Sequence, residues 1–211
     1  MTAFAWVFAV VFVVAAGANW WSRTTDDRSV ELWSKPLALV ALIGVAVTLD
    51  PVDPAVRVWF VVALVLSLAG DVFLLDGDRR FIPGLVAFLL AHVAYSVGLV
   101  VAPDWSWAAF GAGVVGVALL IGTVGVLIVR AARRSNPVLG PAVTAYLLAI
   151  SMMFCAAAAS GNWLAIIGAA LFVASDSVLG WRQFVGSAPW MPVTVMVAYH
   201  VGQAGLVASL L

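Results

Sequence analysis

Of 211 residues, 65% are hydrophobic and only 9% are charged; a soluble domain carries about 25% charged residues, so water is excluded as the solvent. Disorder, which needs high charge and low hydrophobicity, is excluded with it. Ten basic and ten acidic residues cancel, which removes nucleic acid as a partner, because a phosphate backbone demands a basic surface. Apolar runs of about 20 residues, the length that crosses a bilayer, then recur eight times, at 2–20, 35–50, 56–75, 81–102, 107–129, 137–158, 162–181 and 190–211. They are continuous rather than alternating, so they are helices and not barrel strands. The expected fold is all-α: one integral membrane domain, 1–211, a polytopic bundle of about eight transmembrane helices. Its tryptophans gather near the run ends (Trp20, Trp21, Trp33, Trp105, Trp107, Trp181, Trp190), as an interfacial aromatic belt requires.

The first run lacks a basic leader and is expected to stay as a helix rather than be cleaved. The second is short, opening at Ser34-Lys35-Pro36, with proline in the first turn. Lys35 there either meets a phosphate head group or snorkels to the interface, the commoner fate. The third run ends in LAGDVFLL and carries Asp71; Asp76 and Asp78 flank Gly77 in the tight turn after it. The fourth holds His92 and Tyr95, three apart and so on one helix face. The fifth is marked by glycines at 111, 113, 116, 122 and 125, expected as close-packing positions. The sixth carries Tyr146 and the single cysteine, Cys155, which excludes an internal disulfide. The seventh contains Ser175-Asp176-Ser177, and the eighth Tyr199, His200 and Gln203. An aspartate run followed by a histidine run occurs twice, which suggests a four-plus-four parallel repeat.

Basic residues set the orientation. Loops one, three, five and seven hold Arg23, Arg28, Lys35, Arg79, Arg80, Arg130, Arg133, Arg134 and Arg182, and the other loops hold only Arg57. By the positive-inside rule the odd loops are cytoplasmic, with both termini outside a plasma (bacterial inner) membrane.

A carboxylate inside a bilayer costs a few kcal/mol or more and faces the bundle interior. Asp71 and Asp176 each stand about five residues before the cytoplasmic end of their runs, roughly 7 Å deep at the helical rise. Two carboxylates brought together in a dry site share a proton, which supplies an acid and a base in one constellation. The plainer reading is that each bonds a neighbouring helix. Tyr95, Tyr146, Tyr199, His92, His200 and Gln203 either orient a carboxylate or substrate, or hold helices together. Ser175 lacks a nucleophile elbow, so backbone bonding is its expected role. No spacing supports a metal site, and no cofactor is expected. An intramembrane hydrolase, a proton-coupled transporter and a metal-dependent lipid amide or ester hydrolase remain as function classes. The sequence assigns no oligomeric state.

GDVFLLD at 70–76, GLVAFLLAHVAY at 84–95, GAALFVASDSVLGWRQF at 168–184 and AYHVGQAGL at 198–206 together resemble the YhhN-like lysoplasmalogenase family, from about residue 35 onward. The resemblance implies a hydrolase that cleaves the vinyl ether bond of a lysophospholipid to a fatty aldehyde and glycerophosphoethanolamine or glycerophosphocholine. It implies Asp71 and Asp176 as the catalytic pair. Gly70, Gly84, His92, Tyr95, Ser175 and Tyr199 match less diagnostic positions, and Asp76 lies outside the pattern. Such chemistry protonates the alkene carbon, passes through an oxocarbenium ion as glycosidases do, and requires no metal. The lipid substrate would reach the site sideways from surrounding membrane lipid.

Overall fold

The computed structural model describes residues 1–211, apart from the side chain of Asp78; that half of the expected Asp76/Asp78 turn therefore lies outside the described residues. Eight helices are long and apolar enough to span a membrane: α1 Ala3–Thr25, α2 Arg28–Thr48, α3 Pro54–Leu74, α4 Phe81–Val100, α5 Trp107–Ser135, α6 Leu139–Ala159, α7 Trp163–Phe184 and α8 Met191–Ala208. No strand occurs among the described residues. The chain is a multi-pass membrane protein of the class its composition demands.

Local chemistry fixes the helix starts. Thr2, Asp53, Ser106 and Asn162 each accept a hydrogen bond from a first-turn backbone N–H, which satisfies donors that lipid could not. Asp27 does the same for α2, accepting from the N–H groups of Ser29 and Val30. This cap corrects the second run. The helix begins at Arg28, two turns earlier than hydropathy suggests, and Pro36 lies inside it. Gly77 and Gly161 carry φ of 64° and 67° in the turns before α4 and α7, a left-handed conformation that only glycine adopts freely.

Three pairs, α1·α2, α3·α4 and α7·α8, pack most extensively. Glycines explain how closely two of them approach. A Cβ placed on Gly168 would lie 2.8 Å from both the Gly202 carbonyl oxygen and the Leu206 nitrogen, so α7 and α8 touch backbone to backbone. A Cβ on Gly70 would strike the Phe88 ring at 2.6 Å, and one on Gly84 would strike Leu74 at 2.8 Å, which binds α4 to α3 beside Asp71.

The fifth run departs from expectation. Gly113 packs against Cys155 and Gly125 against Ile121 and Leu147, but Gly111, Gly116 and Gly122 face open space. These three are not packing positions, because α5 meets the bundle chiefly on α6 and, at its cationic end, on α7. Its helix also widens into a π turn over Ile121–Gly125.

Candidate active site

A cavity of about 510 Å³ penetrates the end of the bundle that carries Arg23, Arg28 and Arg182, and both Asp71 and Asp176 line it. Asp71 lies three residues before the last residue of α3, and Asp176 eight before the last of α7. Counted from the ends of their helices the two are therefore at unequal positions, and one cavity joins them.

Asp71 is held by two helices at once. The Lys35 ammonium lies 3.1 Å from Oδ1, and the Tyr199 hydroxyl donates to Oδ2 at 2.8 Å. Lys35 is buried at 7% exposure, so it does not snorkel. Because α2 starts at Arg28, Lys35 stands two turns into the helix, where its stem points along the cavity wall instead of toward the interface. A buried carboxylate with an ammonium and a phenol on its two oxygens has the partners a dry charge requires.

Asp176 has a different surround. The Tyr146 hydroxyl donates to Oδ2. The His92 Nε2 stands 3.8 Å from the same oxygen, too far for a hydrogen bond. No lysine or arginine forms an ion pair with Asp176 among the described residues. Edge-on contacts with Tyr146 and Phe172, at ring separations of 5.1 and 4.8 Å, fix the His92 ring. The two hairpins thus brace each other: α8 supplies Tyr199 to Asp71 on α3, and α4 supplies His92 to Asp176 on α7.

Of the remaining expected residues Ser175 lines the cavity, and Tyr95, His200 and Gln203 do not. The Tyr95 hydroxyl donates to Gln203 Oε1 at 2.5 Å, and His200 Nδ1 accepts from the Trp20 indole at 3.0 Å. Both contacts join helices away from the carboxylates. Ser175 donates to the Val195 carbonyl at 3.0 Å, which ties α7 to α8 and leaves no free hydroxyl for nucleophilic work. Among the described residues no three His, Cys, Asp or Glu side chains cluster as metal ligands would.

The sequence reading missed the cavity mouth. Arg23 and Arg28 both pair with Glu31, at 2.8 and 3.0 Å, and Arg182 lies across from them. Their signal was present as a basic cluster, but topogenic charge and ligand-facing charge look alike in sequence.

The motif segments now each have a physical role at one site, and the profile of the YhhN family matches residues 30–210. The chain belongs to the YhhN family. Curated relatives include the lysoplasmalogenases of Mycobacterium bovis and Mycobacterium tuberculosis, each 29% identical over 177 residues, or 82% of this chain and 67% of theirs. Human lysoplasmalogenase TMEM86B is 31% identical over 155 residues, or 71% of this chain and 62% of its own. No solved structure matches the chain. The YhhN match includes Lys35, Asp71 and Asp176 but not α1, although α1 supplies Arg23 to the cavity.

Proposed function

We propose that this protein is an intramembrane lysoplasmalogenase, a hydrolase of the vinyl ether bond in a single-chain glycerophospholipid. Its relatives' names support the reaction. The observation that carries the mechanism is the unequal surround of the two cavity carboxylates.

Lys35 and Tyr199 occupy both oxygens of Asp71, which suits it to remain a fixed negative charge. Tyr146 and His92 both address Oδ2 of Asp176, so Oδ1 is the oxygen left for the substrate. With no lysine or arginine ion-paired to it, Asp176 is the member of the pair suited to carry a proton. In the first step Asp176 protonates the alkene carbon distant from the ether oxygen, and the positive charge delocalises over the other alkene carbon and that oxygen. The Asp71 carboxylate lies along the same wall and stabilises this cation. Water adds to the cationic carbon and returns a proton to Asp176. The hemiacetal then breaks its bond to the glycerol oxygen, its own hydroxyl proton passes to that oxygen, and aldehyde and glycerophospho alcohol leave. Protons balance, and Asp176 ends as it began.

Purified protein given vinyl ether, alkyl ether and ester lysophospholipids is expected to release aldehyde from the vinyl ether alone. Asp176→Asn should lower kcat by about 10²–10⁴, the range of general acid catalysis, and Asp71→Asn should be comparably impaired. Cleavage of the ester alone would replace this reading with a lysophospholipase. Solute movement without aldehyde release would replace it with a transporter.

A further inference from the structure

Two apolar clefts leave the catalytic cavity at Asp176. One of about 50 Å³ passes between Leu85, Val143, Ile128 and Leu147. The other, of about 20 Å³, continues past Ile128 and Leu147 to the π turn of α5, where Ile121 and Ile150 line it. Asp176, Ile128 and Leu147 border both clefts, so they form one trough. It runs past Asp176 from the cationic end, where Phe81 and Phe184 line it, to mid-span between α5 and α6.

The wall that closes this trough is the one least committed to the bundle. The span of α5 is only 22% buried. Its π turn packs inward only through Gly125 and Val124, and such turns recur at functional positions. Thr123 there donates back to the Leu119 and Leu120 carbonyls, at 2.8 and 3.1 Å, as hydroxyls do inside helices.

We propose that this trough holds the first part of the substrate's alkenyl chain, admitted sideways from the bilayer past α5, with Ile128 and Leu147 as its gate. The inference rests on the lysoplasmalogenase reading and extends it to chain recognition. The clefts are too narrow to enclose a whole lipid chain, so the tail stays in the membrane. Moving methylenes from lipid into an apolar trough gains little, because lipid tails are already apolar. The trough therefore orients the double bond against Asp176 rather than adding affinity, and its effect belongs in kcat.

Leu147→Trp and Ile128→Trp should fill the trough. With hexadecenyl lysoplasmalogen each should lose at least about tenfold in kcat relative to a butenyl analogue, which needs no trough. Leu119→Trp, on the lipid face at 68% exposure, should leave the ratio unchanged. An unchanged ratio in both gate variants would overturn the proposal.

A second measurement does not depend on cleavage. An alkyl ether lysophospholipid with a diazirine in its chain should label residues 120–128 and 147–151 of the wild-type protein, and unlabelled lysolipid should displace it. Label on α1 or α2, or label that lysolipid cannot displace, as from bulk membrane lipid, would sink the trough. Label at the trough in a protein that releases no aldehyde from vinyl ether lysoplasmalogen would instead sink the activity and leave the trough standing.

Discussion

Lys35 and Asp71 form a buried ion pair, and such a pair is strongly asymmetric to disruption. Removing one partner leaves an uncompensated charge, at a cost of about 3–5 kcal/mol, whereas replacing both is often nearly neutral. Lys35→Met should therefore unfold at markedly lower temperature in detergent, and Lys35→Met combined with Asp71→Asn should recover much of that loss. Activity should not return in the double variant, because the fixed negative charge is gone. Additive destabilisation in the double variant would show that the two groups do not act as a pair. The sequence contains both residues within apolar surroundings, yet their pairing was not legible there. Hydropathy placed Lys35 at a helix start, and only the Asp27 cap moves that start back to Arg28 and so turns Lys35 inward.

At the scale of elements, α7 and α8 join through glycine backbones rather than interlocking side chains. Gly168 is where this is tightest, because a methyl group there would meet backbone atoms that cannot turn aside. Gly168→Ala should separate the helices and cost about 1–3 kcal/mol, as overpacking does. Gly111→Ala, which meets nothing within 4 Å, should be neutral or slightly stabilising, since alanine favours helix over glycine. Thermal unfolding of the two variants in one detergent checks the contrast, and equal losses would remove the backbone contact as the cause. The same glycines mark what sequence patterning resolves and what it does not. Eight spans were legible because lipid imposes length and apolarity on each span separately. Which small residues face a neighbour was not, because that depends on the partner helix: Gly168 and Gly111 look alike in sequence. The π turn of α5 left no sequence signal beyond Thr123 and its flanking glycines.

For the whole molecule, orientation decides which leaflet supplies the substrate. With Lys35 placed in the cavity rather than a loop, the cationic end of the bundle still carries Arg23, Arg28, Arg79, Arg80, Arg130, Arg133, Arg134 and Arg182, and the other loops only Arg57. By the positive-inside rule we propose that the cavity mouth lies on the cytosolic face. Lysolipid of the inner leaflet would be the form attacked, and the polar product would leave into the cytosol. Single cysteines test this in a Cys155→Ala background, since the native thiol is buried. Asp104→Cys, in the loop between α4 and α5, should react with an impermeant maleimide on intact cells, and Arg134→Cys only after permeabilisation. The reverse labelling pattern would invert the bundle and make the outer leaflet the source. Sealed vesicles separate the consequences: with the cavity facing inward, lysoplasmalogen added outside should yield aldehyde only as fast as the lipid crosses the bilayer, whereas inverted vesicles should cleave it at once.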